Sequence, residues 1–206
     1  MTDKLNEEAA RWDSLRVNFT IVMWAILFFM PLPIPGFGLT PDILAWGLLL
    51  IGIGATVRHV AGLGLLWATA AAGLALWIVR ALVGLPEGEE TSVAAVVLYV
   101  GMWALVTAFA AQLASLIRRL AIELDADDLA HSVSWRAWLP VIPLVLFAVA
   151  PFLPKEPRVI RLIFGCVALL VTACVVSLVM GMAAGAARLF AHKARAAQTD
   201  GETTES

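Results

Sequence analysis

The chain has 206 residues, of which 61% are hydrophobic and 15% charged, with a mean hydropathy of +0.89. Soluble domains sit at roughly 45–50% apolar and about 25% charged, so a soluble globular class is excluded. A net charge of −2 and a pI near 5.9 leave no basic stripe for nucleic acid.

Charge placement points to an all-α polytopic membrane protein. Its Lys, Arg, Asp and Glu side chains fall in the termini, in short connectors or at the edges of long apolar runs. A spanning helix needs about 20 mostly apolar residues. In chain order the expected elements begin with residues 1–16, where Leu5, Ala9, Trp12 and Leu15 recur at helical spacing among charges of both signs. That pattern predicts an amphipathic segment lying in the interface, with Trp12 at headgroup depth. Glu7, Glu8 and Asp13 spoil the basic start that a cleaved signal peptide would need. Six apolar runs follow, at 17–33, 42–57, 60–83, 92–117, 137–153 and 159–187. A single helix over 42–83 would be about 63 Å long, so a break is expected near Arg58. The expected fold is a bundle of about six transmembrane helices over residues 17–190, with a cytoplasmic helical elbow at 113–135. The polar residues 191–206 are expected to be a disordered tail.

Orientation follows from the basic residues. With both termini inside, the inner segments hold Lys4, Arg11, Arg16, Arg58, Arg118, Arg119, Arg136, Arg188, Lys193 and Arg195, against Arg80, Lys155, Arg158 and Arg161 outside. This favours an N-in, C-in topology. Abundant Ala, Leu, Val and Gly with few Lys suits a high-GC bacterial source, hence a multi-pass protein of the bacterial inner membrane.

The strongest local pattern lies in the sixth run. Ala173, Ser177, Gly181 and Gly185 recur at four-residue steps and include a GxxxG pair. Small residues let membrane helices approach closely where lipid supplies no hydrophobic drive. The stripe is expected to pack on a neighbouring span, or else to form the interface with a second copy or a membrane protein partner. Gly64, Ala68, Ala72 and Ala75 make a similar seam in the third run, and the two seams are natural mutual partners.

Chemistry is sparse. No run has a charge in its central turns, which argues against proton- or cation-coupled transport. Thr69, Trp103, Thr107, Gln112, Thr172 and Ser177 are the polar residues at depth, read as hydrogen-bonding glue. His59, His131 and His192 sit at one membrane face and none pairs with another on a helix, which disfavours transmembrane haem. HExxH, CxxC, GxSxG and P-loop patterns are absent from the sequence. Cys166 and Cys174 lie about 12 Å apart on one helix, too far for a mutual disulfide, and read as small apolar filler. No cofactor is expected.

In the elbow, Leu113, Leu116, Ile117, Leu120 and Leu124 carry the fourth run past the membrane edge, flanked by Arg118 and Arg119. Those arginines are placed for anionic headgroups. Asp127 and His131, four residues apart, have the spacing of a metal pair. Against that stands an ordinary helix start, with Asp125 as the N-cap and acidic residues in the first turn. Three functional classes follow in order: a non-enzymatic scaffold, accessory subunit or assembly component; a small transporter or substrate-binding subunit for an apolar or neutral solute; and a lipid-acting enzyme at the inner face.

Overall fold

Two helices at opposite ends of the sequence form the longest packing seam. On the first helix Trp12, Leu15, Phe19, Val22 and Ile26 follow alternating steps of three and four, and so do Thr172, Val175, Val179, Met182 and Ala186 on the last. That is the spacing of a coiled-coil seam, and every one of these residues except half-buried Trp12 is buried. The computed structural model describes residues 2–29, 40–54, 60, 62–83, 93–149, 153 and 158–203. It has seven helices there and no strand: α1 (Thr2–Leu27), α2 (Thr40–Gly54), α3 (Leu63–Val83), α4 (Val93–Glu123), α5 (Asp127–Arg136), α6 (Val141–Val149) and α7 (Arg158–Thr203).

Four stretches are long and apolar enough to cross a membrane: Leu63–Leu82, Val96–Glu123, Asp127–Leu146 and Arg158–Ala197. The third joins α5 to α6 through the turn at 137–140. Six runs were expected. The two that fall short are α2, about 22 Å long at 1.5 Å per residue, and α1, whose first half is charged.

α1 to α4 pack antiparallel in succession, and contacts at both ends of each of these three pairs fix the direction. Phe29 meets Trp46 while Gly52 lies under Asn18 and Ile21, which pairs α1 with α2. Trp46 covers Gly73 and Trp67 approaches Gly54, pairing α2 with α3. The Thr69 hydroxyl donates to Gln112 Oε1 (3.0 Å) and Leu76 reaches Gly101, pairing α3 with α4. Thr107 donates to the Pro140 carbonyl (3.1 Å, buried), tying α4 to the start of α6. Trp12 and Phe19 both pack on the Phe190 ring, at 5.8 and 5.2 Å, closing α1 against α7.

The centre of the bundle is one layer. Trp46, fully buried, meets Phe29 edge-on at 4.8 Å and Phe109 at 6.4 Å, and its ring lies against Gly73. A Cβ at Gly73 would come within 2.5 Å of that ring, so only glycine admits the indole there. Gly73 is also the midpoint of α3, which puts the layer at the middle of the apolar band.

Three expectations change. The segment 1–16 is not a separate helix: α1 runs unbroken from Thr2 to Leu27, and from Trp12 onward it packs on α7. The region expected to be a disordered tail is helical as far as Thr203. Residues 190–197 are rich in alanine, the best helix former, and Ala194 is buried. The two small-residue seams are not mutual partners, since α3 packs on α2 and α4, whereas α7 packs on α1, α4, α5 and α6. Arg58, where the break after the second run was expected, and His59 lie outside the described residues, as do most residues of the connectors at 30–39, 84–92 and 150–157, of which Leu153 alone is described.

Candidate functional site

The face of α7 that binds α1 leaves the small-residue stripe on another side. Ser177 and Gly181 are exposed, while Ala173 and Gly185 are half-buried. Both glycines of the stripe face α5: a Cβ at Gly185 would come within 2.9 Å of Leu129, and one at Gly181 within 3.8 Å of Arg136. The α3 seam is wholly outward, with Gly64, Ala68, Ala72 and Ala75 all exposed.

Beside the stripe stands Arg136, at the end of α5. Its guanidinium is 3.8 Å from where a Gly181 Cβ would lie and 5.3 Å from the Trp135 ring. Its Nε is buried without a hydrogen-bond partner. Gly181 precedes Arg188 by seven residues, about 10 Å along the helix. The guanidinium therefore lies beside the apolar part of α7.

Thr69 and Thr107 each lie within hydrogen-bond distance of an acceptor on another element, Gln112 Oε1 (3.0 Å) and the Pro140 carbonyl (3.1 Å), and of a carbonyl four residues back in their own helix, Leu65 O (3.0 Å) and Trp103 O (2.8 Å). Thr172 and Ser177 spend their hydroxyls on the carbonyls of Ala168 and Ala173 in their own helix. Between α1, α4, α6 and α7, around Phe29, Trp103, Pro140 and Thr172, the free space is about 30 Å³, room for one or two waters. Cys166 and Cys174 are free thiols exposed on α7, not filler in a core.

At the elbow, the expected N-cap is corrected. The cap residue of α5 is Ala126, with no side-chain cap bond, and Asp125 instead adopts φ +55°. The reason lies in how α4 ends. Ala126 N–H donates to Ala121 O (2.8 Å) and Asp125 N–H to Ile122 O (3.2 Å), the paired bonds of a Schellman turn, which requires one left-handed residue. Aspartate tolerates that conformation better than most side chains. Asp127 and His131 are both exposed on α5. Among the described residues no group of three or more His, Cys, Asp or Glu side chains is placed to hold a metal.

Arg118 and Arg119 diverge. Both are exposed, but only Arg119 turns into a pocket of about 240 Å³ between α1, α4 and the start of α3. Arg11, Trp12, Leu15, Val60, Leu120, Glu123 and Leu124 complete its lining. Arg119 Nε lies 3.6 Å from Glu123 Oε1. Its two terminal nitrogens face Gly62, whose φ of +96° and missing side chain admit the guanidinium. Nothing in the sequence pairs Arg11 with Arg119, 108 positions apart. The only trace is that Trp12 and Leu15, next to Arg11, open the seam that holds α1 in place. No protein-family model matches the chain, and neither a curated protein nor a solved structure is significantly similar to it.

Proposed function

We propose that the protein is a non-enzymatic component of the bacterial inner membrane, a scaffold, accessory subunit or assembly factor that works by helix contact. The reading takes six crossings, with α1 and α2 completing the four long apolar stretches, and both termini in the cytoplasm. The outward stripes carry it. Small residues at helical spacing serve close backbone approach between membrane helices, yet α3 presents four of them, and α7 two fully and two partly, to the surroundings. Arg136 adds a charged group with a buried, unpartnered Nε at the edge of the α7 stripe. A second transmembrane helix, from another copy or from a partner protein, would cover Ser177 and Gly181 and bring a hydrogen-bond acceptor to that guanidinium. Transport of a neutral solute ranks below this because the polar side chains bond to one another or to their own helices. Lipid chemistry at the elbow ranks below it because Asp127 and His131 stand exposed, with no third metal-ligating side chain beside them among the described residues.

The test is native mass determination of the full chain from nanodiscs, for the wild type and for Gly181→Leu. A homodimer or a stoichiometric complex that dissociates in the variant, at unchanged thermal stability, is the expected result. A wild-type monomer in nanodiscs of native lipid overturns the reading.

A further inference from the structure

We infer that the outward face shared by α3 and α4 is an interface between two copies of this chain, closed by paired Gln112 carboxamides. The inference does not depend on what docks on the α7 stripe.

The carboxamide has hydrogen-bonding capacity that its own chain leaves unused. Among the described residues it meets only the Thr69 hydroxyl, at 3.0 Å, and that hydroxyl also reaches the Leu65 carbonyl of its own helix at 3.0 Å. A carboxamide offers two N–H donors and two oxygen lone pairs. Whichever of its ends faces Thr69, at least one N–H and one lone pair remain. Gln112 is half-buried at the border between α4 and α3, and its Nε2 is not enclosed, so the unused groups reach the surface.

Both helices are long and apolar enough to cross a membrane. Gln112 lies three residues beyond Phe109 of the central layer, about 4.5 Å along α4, and six before Arg118, about 9 Å. Half of a hydrocarbon core is about 15 Å. The carboxamide therefore opens into hydrocarbon, where no water completes its hydrogen bonds and leaving them unmade is costly.

The face around it is shaped for a helix more than for lipid. Among the described residues α4 exposes no large apolar side chain between Val97 and Ile122, whereas the first half of α7 exposes Val159, Leu162, Ile163, Val167 and Leu170. In that interval Ala104, Ala111 and Ser115 are exposed and Ala108 is half-buried, with exposed Ala68 and Ala72 on α3 beside them. Ala104, Ala108 and Gln112 recur at four-residue steps, the row along which membrane helices cross at close range.

The occupant that this chemistry selects is a second copy. Copies in one membrane share an orientation, so a two-fold axis along the membrane normal sets each α4 parallel to its partner. The two Gln112 side chains then meet at one depth, and each donates an N–H to the other's oxygen. Acyl chains offer no such acceptor. A charged partner helix finds no counter-charge, since α3 carries none from Leu63 to Val79 and α4 none from Val93 to Ile117.

The full chain is purified in mild detergent, and its mass is followed by native mass spectrometry over a dilution series. The wild type is expected to be a dimer, with a dissociation constant raised about tenfold in Gln112→Leu and by less in Gln112→Asn. Ala108→Ile abolishes the dimer by blocking close approach, and Gly181→Leu leaves it in place. Matching thermal midpoints at dilutions where every variant is a monomer show that the variants fold. In native membranes, Ala108→Cys in a Cys166→Ala/Cys174→Ala background forms a disulfide-linked dimer on mild oxidation. A wild-type monomer overturns the inference, as does a dimer equally strong in Gln112→Leu and Ala108→Ile. A dimer lost only in Gly181→Leu returns self-association to the α7 stripe and overturns it too. A complex with a different protein that Gln112→Leu releases gives the face to that protein, again against the paired copies.

Discussion

The central layer and the end of the bundle that holds the pocket are built on the same helices and differ in every physical respect. In the layer, Trp46 is enclosed by Phe29, Phe109 and the bare Cα of Gly73, so α1, α2, α3 and α4 meet around one indole. At one end of the bundle, α1 and α4 leave about 240 Å³ between them, rimmed by Arg11, Arg119 and Glu123. Helices close where one large ring finds a glycine, and part where long charged side chains must stay hydrated. Interior packing leaves little slack in the first case. In the second, desolvating a guanidinium would cost more than the contact returns.

The contrast can be broken from the packed side first. Trp46→Ala removes the residue that every neighbour in the layer touches, and should destabilise the protein by about 3–5 kcal/mol, measured by reversible unfolding in mixed detergent micelles. Destabilisation below about 1 kcal/mol would show that the layer does not hold the four helices together. Gly73→Val attacks the same contact from the other side. Its Cβ would fall 2.5 Å from a ring that Phe29 and Phe109 keep from moving, for a loss of about 1–3 kcal/mol in the same assay. At the open end the effect should nearly vanish. Arg119→Gln removes a half-exposed pair with Glu123, and such pairs contribute about 0–1 kcal/mol. A larger loss would mean that the Arg119–Glu123 pair helps to hold the fold.

The two small-residue stripes teach a related lesson. Both were legible as close-packing surfaces, and their natural use within one chain is against each other. The bundle instead sets α7 on α1, because the heptad-like steps of Leu15, Phe19, Val22 and Ile26 match those of Val175, Val179, Met182 and Ala186. One helix can present only one face to its long-range partner. The heptad residues take that face, and Ser177 and Gly181 point elsewhere.

The elbow shows where local reading stops. Acidic residues before a helix suggest a cap, and Asp125 has the right type and position for one. Ending α4 needs a left-handed residue, and that demand overrides the capping preference, leaving Ala126 at the cap. Likewise the polarity of 191–206 suggests disorder. Burial of Phe190 and Ala194, with α1 alongside, extends the helix instead.

The sequence by itself determined the helical membrane class, the approximate place of the apolar helices, and the break between α2 and α3. These depend on composition and on 3.6-residue periodicity, which are properties of a segment and its solvent. Tertiary structure alone decided which face of α7 is covered, that Arg136 lies beside Gly181, and that Arg11 and Arg119 share one pocket while Arg118 does not line it. Those outcomes depend on which distant surfaces fit one another. The fit of Trp46 into Gly73, or of one heptad seam into another, is a property of pairs of segments that no single segment carries.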